Sequence, residues 1–179
     1  MNSAKDNGKV IKVCFYGPES TGKTTMAEEM ARRFHTVFVP EVSRELIDSN
    51  DFTLDDIEKI GIEQTRRILE AEKQTDQLLI CDTDILTTRI YSLHYLGAAP
   101  ALLDSLEKQV RFDRYYLFHT DVPWVSDGLR DLGDRRDYMM AWFRRELQQR
   151  GITPVEVTGD YTRRTRIIED DLRRLIRGD

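Results

Sequence analysis

An α/β fold built on a parallel sheet, with helices on both faces in three layers, follows from three features of this chain. Short apolar runs alternate with segments of helical period along its 179 residues, the pattern of strand–helix–strand crossovers. One run, Leu78-Leu79-Ile80-Cys81, is apolar at every position, as a strand buried on both faces requires. The first run, Val10–Tyr16, leads straight into Gly17-Pro18-Glu19-Ser20-Thr21-Gly22-Lys23-Thr24-Thr25. That is the G-x-x-x-x-G-K-[ST] loop in its strand-then-helix setting.

The elements follow in order. Residues 23–35 read as a helix, with Met26, Met30 and Phe34 on one face. A strand is predicted at Thr36–Val39, closed by Pro40 and Glu41, then a short helix at Val42–Ile47. Thr53 with Asp56 three residues on forms a capping-box pattern. It opens a long helix to about Lys73, with Leu54, Ile57, Ile60, Ile68 and Leu69 facing inward. The third strand, Leu78–Cys81, ends in Asp82. Helices are predicted at Leu86–Leu96 and Ala101–Val110, and a fourth strand at Tyr115–His119. Residues 123–137 form a polar, Arg/Asp-rich loop before a helix at Tyr138–Gln149. The last strand is Thr153–Val157 and the last helix Tyr161–Ile176, with Tyr161, Ile168, Leu172 and Leu175 on one face. Residues 1–9 are read as a loosely held tail, and 10–179 as a single domain.

Composition narrows the partners. The net charge of −5 opposes a nucleic-acid-binding role, and no aromatic–basic strip is present. No apolar stretch reaches the ~18 residues of a spanning helix, and the polar N-terminus lacks the core of a signal peptide, so a cytoplasmic, membrane-free protein is expected. Nothing in the composition demands or forbids a homo-oligomer. Cys14 and Cys81 lie in apolar runs without metal-ligand spacing and read as core thiols. Residues 111–179 carry 14 basic side chains, all Arg. The doublets Arg144-Arg145, Arg163-Arg164 and Arg173-Arg174 read as solvated helix faces.

The glycine-rich loop implies a nucleoside triphosphate. Gly17 and Gly22 let successive N–H groups turn toward a polyphosphate. Lys23 supplies charge to its outer phosphates, and Thr24 a hydroxyl to Mg²⁺. The remaining candidates lie where such sheets bind ligands, at the carboxyl ends of strands. Asp82 ends a buried strand, where a second Mg²⁺ carboxylate is expected. The competing reading is a helix N-cap. Asp84 fits three roles: sharing that metal, facing the acceptor, or capping the next helix. Glu41 can accept a proton from an attacking hydroxyl or bind a ribose diol, with Arg44 one turn on as its partner or a phosphate contact. Arg130, Arg135 and Arg136, after the fourth strand, can close as a lid over developing negative charge. Trp124 offers a face to a ring, or anchors its loop. His35, His94 and His119 show no metal or triad spacing.

Together these residues resemble the kinase domain of the bacterial NadR-type family, a ribosylnicotinamide (nicotinamide riboside) kinase. The resemblance is carried by Gly17–Thr24, by Pro40-Glu41-Val42-Ser43-Arg44-Glu45, and by Cys81-Asp82-Thr83-Asp84 with Leu86-Thr87-Thr88. It continues through Asp121-Val122-Pro123-Trp124, Asp127-Gly128-Leu129-Arg130, Arg135-Arg136 and Gly159-Asp160-Tyr161. It implies a five-stranded, nucleoside-monophosphate-kinase-like core with an Arg-rich lid. It also implies transfer of the ATP γ-phosphate to the riboside 5′-hydroxyl with ATP and Mg²⁺ as cofactors. Lys23, Glu41, Asp82, Arg130 and Arg135 would then be catalytic, with Thr24 and Asp82 on the metal. Glu19, Ser20, Thr21, Thr25, Arg136, Asp160 and Tyr161 would join the loop around ATP. Glu41, Arg44, Asp84, Trp124 and Asp127 would face the riboside. Family members also carry an adenylyltransferase domain, often with a DNA-binding module. A 179-residue chain has room for the kinase part only, so neither dinucleotide synthesis nor repression is implied. Two other readings share the ATP site: a kinase for another nucleoside or small alcohol, and a regulatory ATPase without an acceptor. A guanine-specific switch is disfavoured, because none of Asn2, Asn7 and Asn50 precedes a lysine.

Overall fold

The computed structural model of the chain describes residues 9–49, 51–125 and 132–178. The elements in chain order are β1 (Ile11–Tyr16), α1 (Lys23–Arg33), β2 (Val37–Val39), α2 (Ser43–Leu46) and α3 (Leu54–Glu72). They continue with β3 (Leu78–Asp82), α4 (Ile85–Leu96), α5 (Leu102–Glu107) and β4 (Arg114–Phe118). A 3-10 turn (Gly133–Arg135), α6 (Arg136–Gln149), β5 (Val155–Val157) and α7 (Tyr161–Arg177) complete the chain.

The five strands form one parallel sheet in the order β2-β3-β1-β4-β5. On β1, Ile11 pairs with Leu78 and Phe15 with Asp82, while Val13 pairs with Arg114 on the other side. The chain adds β2 and β3 to one side of β1 and then crosses to add β4 and β5 on the other. The carboxyl end of β1 is therefore the switch point, where a crevice opens between diverging loops. Strand alternation sorts the core into two layers. Val13, Phe15, Tyr116 and Phe118 pack with Met26, Met30, Ile168 and Leu172 of α1 and α7. Cys14, Tyr16, Tyr115 and Leu117 face Ile85, Leu103, Phe143 and Leu147 of α4, α5 and α6. Val39, Leu79 and Cys81 meet Ile68 of α3. Both cysteines are fully buried and free, and burial pushes both thiols well up, as core thiols require.

Local chemistry accounts for the long helix. The Thr53 hydroxyl accepts from Asp56 N at 3.3 Å, and Asp56 Oδ2 accepts from Thr53 N at 3.0 Å, the reciprocal capping box. Several expectations shift. Leu54, in the first turn of α3, is exposed, as is Tyr161 at the start of α7: both precede the point where their helix reaches the core. The polar 123–137 segment ends in the 3-10 turn, and α6 begins at Arg136. The edge strands β2 and β5 have three residues each.

Candidate functional site

A cavity of about 160 Å³ lies at the carboxyl end of β1, between the glycine loop and α2, α3 and α4. Residues 17–22 and the start of α1 form its floor. Gly17 has φ +135, and a Cβ there would come within 2.7 Å of the Phe118 carbonyl oxygen. Only glycine fits this approach. Gly22, at φ +84, is the N-cap of α1. No side chain caps that end, and its first turn carries no acidic residue. The positive end of the helix therefore faces the cavity, which is what an anion needs. Lys23 is buried, and its Nζ donates to the Pro18 carbonyl at 2.7 Å. The outer edge of the loop grips the chain after β4. Glu19 Oε1 accepts from Trp124 Nε1 at 3.2 Å and from Leu132 N at 3.0 Å, and Ser20 Oγ accepts from Val125 N at 2.8 Å.

Asp82 lies beneath Thr24, whose hydroxyl donates to Oδ2 at 2.5 Å. Oδ1 is buried and has no hydrogen-bond partner among the described residues. Burial, and then the nearby charge of Glu41, push the carboxyl up to about 6, against Lys23 and the Thr24 hydrogen bond. A buried carboxylate oxygen left open beside a threonine hydroxyl fits Mg²⁺. That ion needs few protein ligands when phosphates and water supply the rest. Glu41 lines the cavity; its Oε1 accepts from Ser43 Oγ at 2.9 Å, and Oε2 pairs with Arg44 Nε at 3.3 Å. Gln64 of α3 sets this turn: its Oε1 accepts from Val42 N at 2.9 Å, and its Nε2 donates to the Pro40 carbonyl at 3.4 Å.

Sequence patterns missed an aromatic wall. Phe52, Tyr91 and Tyr95, with Ile47, Ile57 and Ile60, line the cavity together with the glycine loop, and Tyr91 sits against the Glu19 backbone. Phe52 and Tyr95 meet edge to face at 5.5 Å, and Tyr91 stacks with Tyr95 at 6.4 Å. The period of α4 could have flagged Tyr91 and Tyr95 as one face, but nothing local shows that this face meets the glycine loop.

Several expected site residues lie elsewhere. Trp124 does not line the cavity; its indole is spent on Glu19. Asp84 is turned away as the N-cap of α4, its Oδ1 accepting from Leu86 N at 3.1 Å and Thr87 N at 3.2 Å, and its Oδ2 from the Tyr115 hydroxyl at 2.7 Å. It borders a separate cavity of about 20 Å³. Arg136 donates to the carbonyls of Ser20 (3.3 Å), Thr120 (2.6 Å) and Val122 (2.6 Å), which makes it a loop anchor. Arg135 is exposed, as are Asp160, which caps α7 through Arg163 N at 2.8 Å, and Tyr161; none lines the cavity. Asp127 and Arg130 lie outside the described residues. Arg164, read as solvated, is buried.

Residues 12–164 match the family AAA_28, described as an AAA domain. The chain belongs to that family. It is also 31% identical, over 134 residues and 72% of its length, to the trifunctional NAD biosynthesis/regulator protein NadR of Salmonella typhimurium. It spans about a third of that relative's length (33%). Among solved structures, a NadR protein in complex with NR superposes with a TM-score of 0.81 at 22% identity, covering 97% of this chain and 53% of that one. Thymidylate kinase from Ehrlichia chaffeensis superposes with a TM-score of 0.66 at 14% identity, covering 90% and 98%. The fold is thus that of nucleoside and nucleotide kinases. Among the described residues, no helix is long and apolar enough to cross a membrane.

Proposed function

We propose that the protein is an ATP-dependent kinase that phosphorylates the ribose 5′-hydroxyl of nicotinamide riboside. One observation carries the reading: a single cavity is lined by the anion cradle of the glycine loop, by Glu41 and by an aromatic wall. The 31% identity to the NAD biosynthesis/regulator protein NadR, and the fold shared with a NadR protein in complex with NR, support this acceptor.

The polyphosphate lies on residues 17–24, held by loop N–H groups, the α1 dipole and Lys23. Thr24 and Asp82 would hold Mg²⁺, which neutralises phosphate charge when bound. Glu41 orients the acceptor hydroxyl and accepts its proton. Phosphoryl transfer requires alignment and charge neutralisation more than a reactive side chain. Two carboxylates near the acceptor, with Arg44 already paired to Glu41, disfavour an anionic acceptor and suit a cationic one. Phe52, Tyr91 and Tyr95 replace Trp124 as the faces against which a pyridinium ring gains cation–π attraction.

Steady-state kinetics of Tyr95→Ala tests this wall. The KM for the riboside should rise by about tenfold, since a desolvated cation–π contact is worth of the order of 1–2 kcal/mol, with the KM for ATP unchanged. Equal changes in both constants, or none, would reject the assignment.

A further inference from the structure

Arg164, in the first turn of α7, is a buried cation that the reaction above does not use. It is 3% exposed, and its guanidinium lies 5.9 Å from the centroid of the Phe118 ring. Nε donates to the Gly159 carbonyl at 2.7 Å, one terminal nitrogen to the Thr21 carbonyl at 2.7 Å, and the other to the His119 carbonyl at 3.0 Å and the Asp121 carboxylate. Asp121 also accepts from Gly159 N at 2.6 Å. The fork thus joins the glycine loop to the carboxyl ends of β4 and β5. Burying an ion is costly, and an apolar side chain often serves stability as well or better. Packing alone therefore does not account for a cation here.

The contact with Thr21 does. In a trans peptide the carbonyl and the following N–H point in opposite directions. Holding the Thr21 carbonyl back on Arg164 aims the Gly22 N–H forward, into the anion cradle. Gly22 itself does not fix that choice. It has φ +84, and nothing lies within 4 Å of where its Cβ would be, so glycine tolerates either orientation of the peptide. The flipped orientation would direct a carbonyl oxygen at the polyphosphate. We infer that Arg164 is a positioning residue that locks the Thr21–Gly22 peptide in its anion-binding orientation, from behind the loop and without touching the ligand. This inference rests on the nucleotide reading of the cavity.

The test uses the full chain, with Arg164→Met and Arg164→Lys. Titration with ATP·Mg²⁺ measures affinity. Selective ¹⁵N-glycine labelling of the 10 glycines follows the Gly22 amide, a signal that a purely structural role would leave in place in the folded population. Arg164→Met should retain the wild-type circular dichroism and shift or double the Gly22 resonance. Its ATP affinity should fall about 10- to 100-fold, the loss expected for one charge-assisted donor. Arg164→Lys, which keeps the charge but cannot reach three carbonyls, should behave in the same way and serves if the Met variant does not fold. A folded variant with ATP affinity within about twofold of wild type and an unmoved Gly22 signal overturns the lock. A wild-type chain that binds no ATP overturns the nucleotide reading instead, and the Gly22 resonance still decides the orientation.

Discussion

Asp82 and Asp84 stand two positions apart at the end of β3, yet their surroundings differ. Asp82 keeps one oxygen open beneath Thr24. Asp84 is saturated by Tyr115, Leu86 N and Thr87 N. Burial raises Asp84 from an ordinary value near 3.8 to about 6, against those hydrogen bonds. A carboxyl raised on folding binds its proton more tightly in the native state. Its contribution is complete below about pH 4 and is lost as pH rises through about 6. Asp84→Asn should therefore flatten the fall in thermal stability between pH 4 and 8, by as much as ~3 kcal/mol; an unchanged slope would refute the assignment. At this scale the glycine loop was legible because its chemistry is local in sequence. The role of Asp84 as a cap was legible only as one of three. Arg164 was not, and Trp124 as a loop anchor was legible only as one of two readings, because an arginine doublet or a lone tryptophan shows its partners only once residues 143 or 105 positions apart have been brought together.

Among the elements, α3 connects stability to the site most directly. Its capping box fixes where the helix starts, and Gln64, buried near its middle, grips Pro40 and Val42 on either side of Glu41. Thr53→Ala should cost about 1 kcal/mol of stability, read by urea denaturation, and leave the unfolding slope unchanged. A loss near zero would mean that the exposed cap is replaced by water at no cost. The box was readable from Thr53 and Asp56 alone. The starts of β2 and β5 were not, since pairing with β3 and β4 begins only at Val37 and Val155, inside the expected runs. The exposure of Leu54 and Tyr161 was likewise unreadable, since helical period gives a face but not the turn at which that face meets the core.

For the whole molecule, the strand order turns scattered motifs into one site. Placing β1 between β3 and β4 brings the glycine loop beside Asp82 and against the backbone of Phe118. The position of β2 next to β3 carries Glu41 to the same rim. The alternation of strands and helices announced a parallel sheet and its ligand-binding rim, but not the order of the strands. The aromatic wall of the cavity depends on that order, since Phe52, Tyr91 and Tyr95 come from the segment before α3 and from α4 and converge only in the folded chain. Charge follows the same logic: Glu41 and Asp82 stand together although 41 positions separate them, and their mutual repulsion helps raise Asp82.

The most direct measurement is ADP formation from ATP·Mg²⁺ with nicotinamide riboside, set against adenosine, cytidine, uridine and no acceptor. The account predicts strong stimulation by nicotinamide riboside alone, abolished by Lys23→Ala. Equal stimulation by the neutral nucleosides, or turnover that needs no acceptor, would contradict it.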